Sequence, residues 1–375
     1  MARNRVIYQS EALYAGSTGE TRPNQLHRVQ SANYSFEVTR TDINQFGELA
    51  AIDRIIVEQP TVSLDFSYYP TTGLNEQNIG LTLGTTSAIA DLLEQATGKT
   101  PLNYYIATSH EGIDSNKISE GTWSNNADTG GAAGIIGLGN GFLTSFSVEG
   151  SVGELLSSTV NVEALNMAFE ASTGGDSDAN IAITGVVVDP INGNLLSQTY
   201  TLPVGTSENP TGHAHHVAAL RHGDMNLRLG DNTKGINTGD LKIQNFTWSF
   251  ELSRENLEKI GSKFAFSKEI EFPTSASMDV SAMLGDLNDA DALLGILDND
   301  KEADVFVECY RAGENLSQTA ANKAMKYKLK GAKLDSQGFS SSIGDNKSVD
   351  MTWSTQIGSK DDTIHGVTIE HAWTT

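Results

Sequence analysis

Cysteine is nearly absent: Cys309 stands alone in 375 residues. No intrachain disulfide and no cysteine-rich zinc site can be built from it. Long apolar runs are also missing. Nothing approaches the ~18 residues of a membrane span. The opening Met1-Ala2-Arg3-Asn4-Arg5-Val6 has no apolar signal core, so synthesis and folding in the cytoplasm are expected. Positive charge is scarce as well. The 25 basic residues face 47 acidic ones, for a net charge of −22, and no basic patch stands out. Tight binding to nucleic-acid phosphates is therefore disfavoured. Such acidity aids solubility and suits a surface past which DNA slides without sticking. It equally suits a soluble protein from a salty habitat. Aromatic residues make up 7% and hydrophobic ones 38%, which supports modest cores. Proline is sparse, whereas Gly, Ser, Thr and Asn crowd the chain, as in β-rich proteins with many turns. The length predicts about two or three domains.

What the chain does contain is repetition. Val29 to Arg40, VQSANYSFEVTR, returns 214 positions later as Ile243 to Arg254, IQNFTWSFELSR. The match runs on to Gly47 and Gly261. It slips by one residue at Pro60 and Pro273, and is back in step at Asp65 and Asp279. The period is too long for a solenoid. It predicts two tandem β domains, at 1–170 and 217–375. A segment without counterpart, 171–216, lies between them and carries a hairpin signal at Ile181 to Asp189 and Leu195 to Pro203.

Each copy predicts two strand pairs by strict alternation. Ala32 to Thr39 sets Tyr34, Phe36 and Val38 against Ser35, Glu37 and Thr39, and Val62 to Tyr68 follows the same rule. Trp248, Phe250 and Leu252, then Ala276, Met278 and Val280, repeat the plan. The second pairs are Gly141 to Glu149 with Thr159 to Ala164, and Lys333 to Phe339 with Val349 to Gln356. A flanking helix is predicted in each copy, at Ser87 to Ala96 and Leu287 to Leu297. Short apolar strands follow at Tyr104 to Ala107 and Val305 to Glu308.

Every one of the eight paired strands carries an acid on its polar face: Glu37, Asp65, Glu149, Glu163, Glu251, Asp279, Asp335 and Asp350. Their neighbours are Ser, Thr or Asn, and Lys333 is an exception to the shortage of cations. One reading is a solvated sheet face that shares the acidic bias of the chain. The other is a channel wall that repels phosphate.

The strand–loop–strand–helix plan resembles the tail tube protein family of tailed bacteriophages. The motifs that carry it are Ser35 to Arg40, Pro60 to Phe66 and Phe146 to Gly153, with Val6 to Tyr14 similar to the family's N-terminal arms. The resemblance spans nearly the whole chain outside 171–216. It implies a mainly β fold of two tandem tube-type sandwich or barrel domains, each with a helix. It also implies a sheet that continues from subunit to subunit around a channel. Duplication departs from the usual six single-domain subunits and implies trimeric, pseudo-hexameric rings. A barrel of about 24 strands has a lumen of roughly 40 Å. The long loops Asn44 to Gln59 and Glu258 to Phe272 and the N-terminal arm would reach the next ring, with Val6, Tyr8, Phe46 and Ile260 as contacts. Implied partners are other copies of the chain, a tape measure, a terminator, a sheath, and viral DNA in passage. The implied location is the virion tail, assembled in the host cytoplasm. A baseplate hub or tube terminator of the same fold is the first alternative. A carbohydrate-binding tandem β-sandwich is the second.

Other motifs fail their tests. Ala96 to Thr100 ends like a phosphate loop, but Leu93 occupies the first glycine position. The glycine-rich run 130–141 precedes a strand rather than opening a helix. His213, His215, His216 and His222 lack a convincing carboxylate before Asp224. Asp286, Asp289, Asp291, Asp298 and Asp300 lack the spacing of a calcium loop. No nucleophile–base or paired-carboxylate constellation is present in the sequence pattern. No enzyme activity, cofactor or metal is expected.

Overall fold

In this computed structural model, the structure describes residues 11–17, 24–71, 73–93, 101–108, 134–171, 220–229, 241–261, 265, 267–284, 302–310, 323–340 and 348–371. The first half contains β1 (Glu11–Ser17), β2 (Asn24–Gln25), β3 (Val29–Glu37), β4 (Arg40–Ile43), β5 (Asp53–Ile56) and β6 (Thr61–Tyr68). Then come α1 (Leu74–Asn78), α2 (Ala90–Leu93), β7 (Leu102–Thr108), β8 (Gly134–Ser151), β9 (Ser157–Ala164) and β10 (Asn166–Ala171). The second half contains β11 (Met225–Leu229), β12 (Leu241–Glu251), β13 (Arg254–Leu257), β14 (Ser267–Ile270) and β15 (Thr274–Leu284). It closes with β16 (Ala303–Tyr310), β17 (Lys323–Ser340), β18 (Ser348–Ile357) and β19 (Gly366–His371).

The fold is mainly β, with a large antiparallel sheet. Its spine is the order β3-β6-β9-β8-β12-β15-β18-β17. Period-two alternation decides its two faces. Leu64, Phe66, Phe146, Val160, Trp248, Phe250, Met278, Val280, Met351 and Trp353 are buried on one face. A second layer covers that face. In the first half it is β1, β7 and the first part of β8; in the second, β11, β16, the first part of β17 and β19. Leu13, Ile106, Ile79 and Ile89 from the first half join Leu227, Val307, Tyr327 and Ile369 from the second in one core. The halves also interlock through the backbone: Ala88 N–H donates to the Val367 carbonyl at 2.7 Å.

Pairing registers of the two halves correspond position by position. Leu64 faces Val162 as Met278 faces Trp353. The β8–β9 pair is broken by a bulge between Leu143 and Ser145, and the β17–β18 pair by one between Leu334 and Ser336. The β8 and β17 strands each pass from one layer to the other. Their corners fall at Asn140 (φ 52°) and Gly331 (φ 57°), both left-handed. A β-branched residue is strained there, while Asn and Gly are tolerated. The corner N–H is held in the same way in each half: Asn140 N donates to Asn103 Oδ1 at 2.9 Å, and Gly331 N to Asp304 Oδ1 at 3.1 Å.

Several expectations change. The glycine-rich run, expected to precede a strand, is over 134–141 itself the first part of β8. Likewise β17 begins at Lys323, ten residues before the expected start, and Met325, Tyr327 and Leu329 are buried there between Lys326, Lys328 and Lys330. Part of the expected N-terminal arm, Glu11 to Tyr14, lies in β1 and pairs with β7, with Leu13 and Tyr14 buried. The helix expected at Ser87 is the single turn α2 within the described residues. Each long loop supplies the second strand of a hairpin, β5 pairing with β4 and β14 with β13 just before the loops begin. The second helix, the 181–203 hairpin, His213 to His216 and the Asp286 to Asp300 acids lie outside the described residues.

Candidate functional site

The eight strands expected to carry acids are the eight strands of the spine. Their solvent face is built from small polar side chains. One row crosses all of them: Ser31, Ser67, Thr159, Ser147, Ser249, Ser277, Ser354 and Lys333. Hydroxyl pairs tie neighbouring strands together, Ser31 to Ser67 and Ser35 to Ser63 each at 2.7 Å, and Ser249 to Ser277 at 3.2 Å.

Glu37, Asp65, Glu149, Glu251, Asp279, Asp335 and Asp350 are exposed. No two of the eight acids stand directly opposite each other. Glu37 faces Thr61, Asp65 faces Asn33 and Asn161, Glu149 faces Ser157 and Thr247, and Glu251 faces Ser145. Asp279 faces Thr247 and Thr352, and Asp350 faces Ser281 and Gly338. Like charges directly across a sheet repel, and this arrangement avoids that contact. Asn33 Nδ2 donates to Asp65 at 3.1 Å, and Thr352 Oγ1 to Asp279 at 2.7 Å. Asp335 sits in the β17 bulge.

Glu163 is different. It is half-buried and pairs with the ammonium of Lys268, a side chain only 2% exposed. Lys268 comes from β14, so the second-half hairpin folds over the first half at this point. Arg254, at the start of β13, completes the junction. Its Nε donates to the Leu143 carbonyl at 3.1 Å and its Nη1 to the Lys268 carbonyl at 3.2 Å. The guanidinium lies 5.2 Å from the centre of the Phe142 ring. Burial pushes its pKa down to about 10, against the pull of Glu269 and Glu163. Beneath the junction Phe146 meets Trp248 edge-on at 5.9 Å and Phe250 stacked at 5.8 Å. Sequence reading gave no role to Arg254 or Lys268. The repeat of Arg40 as Arg254 was the available signal.

The sheet ends at β3 on one side and at the second part of β17 on the other. Neither outer edge has a strand partner among the described residues. Both edges carry aromatic side chains toward the core face that remain open, Phe36 at 43% and Phe339 at 52% exposure. The β4–β5 hairpin is exposed throughout, and Phe46 near its tip is fully open. Ile260, near the tip of the second hairpin, is equally open. Val6 and Tyr8 lie outside the described residues.

The described residues hold no group of three potential metal-ligating side chains, and no helix among them is long and apolar enough to cross a membrane. Neither a scan against protein-family models nor a search of curated proteins finds a match.

Proposed function

We propose that the chain is a structural subunit of a phage-type tail tube. Two tandem tube domains would pair in one sheet, and the polar face of that sheet would line a channel for DNA. The observation that carries this reading is the position of the two free edges. The β3 strand is the counterpart of β12, and the second part of β17 is the counterpart of β8. Those counterparts, β8 and β12, already pair inside the chain. A sheet whose two edges are the counterparts of the strands at its own internal junction is suited to add further copies. Such a head-to-tail contact closes into a ring when the rotation permits, and closure hides both strand edges.

The chemistry of the face supports the same reading. Exposed acids separated by Ser, Thr and Asn repel phosphate over a wide area without offering a binding site. Three copies would give a barrel of about 24 strands, roughly 50 Å across at the backbone. Tape measure, terminator and sheath proteins would be the neighbours of such a tube, and DNA its transient cargo.

Light scattering over a concentration series tests this reading. The expected masses are three times 40.1 kDa and larger stacks. A ring that never stacks would favour a hub or terminator. A monomer at all concentrations would overturn the proposal.

A further inference from the structure

We propose that two copies of this chain join with β3 of one against the second part of β17 of the other, in the register that sets Ser35 opposite Gly338. This rests on the ring-forming reading above and specifies its contact. The internal junction pairs Ser249 with Ser147 and Trp248 with Val148. The β12 strand lies 214 positions beyond β3, as Asp279 does beyond Asp65. The β17 bulge after Leu334 lies 191 positions beyond the β8 bulge after Leu143. Applying both offsets moves Ser249 to Ser35 and Ser147 to Gly338, and sets Tyr34 opposite Phe339.

The side chains fit that transfer. Internally a large Trp248 faces a small Val148. Between copies a smaller Tyr34 faces a larger Phe339, so the summed bulk is kept. The 52% exposure of Phe339 and 43% of Phe36 is apolar surface on the two edges that must meet, and pairing would cover it. On the polar face Glu37 would stand opposite Ser336, as Glu251 stands opposite Ser145, so no acid would face an acid. One contact does not carry over. Lys333 replaces Phe142, the ring under Arg254, so Arg40 finds no aromatic platform and the copy-to-copy junction is the weaker of the two.

Cysteine pairs test the register. Cys309 is fully buried and does not compete. In a single chain Ser35 and Gly338 lie at opposite edges of the sheet, about 34 Å apart at ordinary strand spacing, so any link between them joins two copies. The full chain carrying Ser35→Cys with Gly338→Cys is oxidised mildly and run without reductant. Ser147→Cys with Ser249→Cys is the internal control and should link within one chain. The expected result is loss of most of the monomer band to a ladder that stops at a closed trimer. The shifted pair Ser35→Cys with Ser340→Cys should leave the monomer largely intact. Equal or better linking by the shifted pair would overturn the register. Multimers by light scattering with no link from either pair would overturn this edge contact while leaving ring formation standing. A protein that is monomeric by light scattering would overturn both.

Discussion

Arg254 lies over the ring of Phe142, 5.2 Å from its centre, and donates to the carbonyl of the next residue, Leu143. This ties the first strand-and-hairpin unit of the second half to the last spine strand of the first. Arg254→Ala removes two charge-assisted hydrogen bonds and the stacking. It should cost about 2 kcal/mol, read as a lowered urea midpoint. Arg254→Lys should recover only part of that, because an ammonium cannot reproduce the planar fork. Arg40→Ala, at the exposed counterpart, should change monomer stability by no more than about 0.5 kcal/mol.

Glu163 and Glu149 should respond differently to neutralisation. Glu163→Gln leaves the buried Lys268 ammonium without its carboxylate, and a loss of up to about 3 kcal/mol is expected. Glu149→Gln, on the open face, should be nearly silent in the same denaturation measurement.

A buried acid bridges the halves. Glu76 accepts from Tyr68 Oη at 2.9 Å, and Tyr327 Oη of β17 lies at 3.4 Å. Burial holds its pKa above the ordinary carboxyl value of 4.5, although the backbone and both tyrosines pull the other way. The protonated form is therefore favoured by folding. Its contribution is complete below pH 4.5 and is lost as pH rises through the folded value. Glu76→Gln, neutral at every pH, should flatten this part of the dependence in melting curves taken from weakly acidic to alkaline pH. Glu76→Leu removes the carboxyl group to which both tyrosine hydroxyls donate, leaving them only Ser158, and should lower stability by about 1–3 kcal/mol.

The strand corners make a paired prediction. Gly331→Val forces a β-branched residue into the left-handed region, and its Cβ would approach the Ile364 carbonyl to 2.8 Å. A loss of at least ~2 kcal/mol is expected. Asn140→Gly keeps the conformation available and should cost far less, as thermal melts of the two variants would show.

Much of the spine was legible because alternation such as Val62-Ser63-Leu64-Asp65 has only one good solution, a strand with one wet face. The repeat at Asp65 and Asp279 then placed the second half. The early parts of β8 and β17 were not legible for opposite reasons. Gly137, Gly139 and Gly141 dilute the hydrophobic signal, whereas Lys326, Lys328 and Lys330 alternate with buried Met325, Tyr327 and Leu329 but carry none of the acids that mark the spine strands. The β8–β12 pairing is non-local, and its register depends on packing that no local pattern encodes. Glu76 illustrates the same limit: an acid in a one-turn helix gives no sign that two tyrosines from different halves will enclose it.

In the proposed assembly the acidic face lines a closed ring. End-on electron microscopy of the assembled protein, carried to a resolution that places the strands, tests it most directly. Three chains around an open centre, with Glu149 and Asp279 facing the hole, are the expected result. A ring with those residues on its outer surface, or an assembly without a central opening, would contradict it.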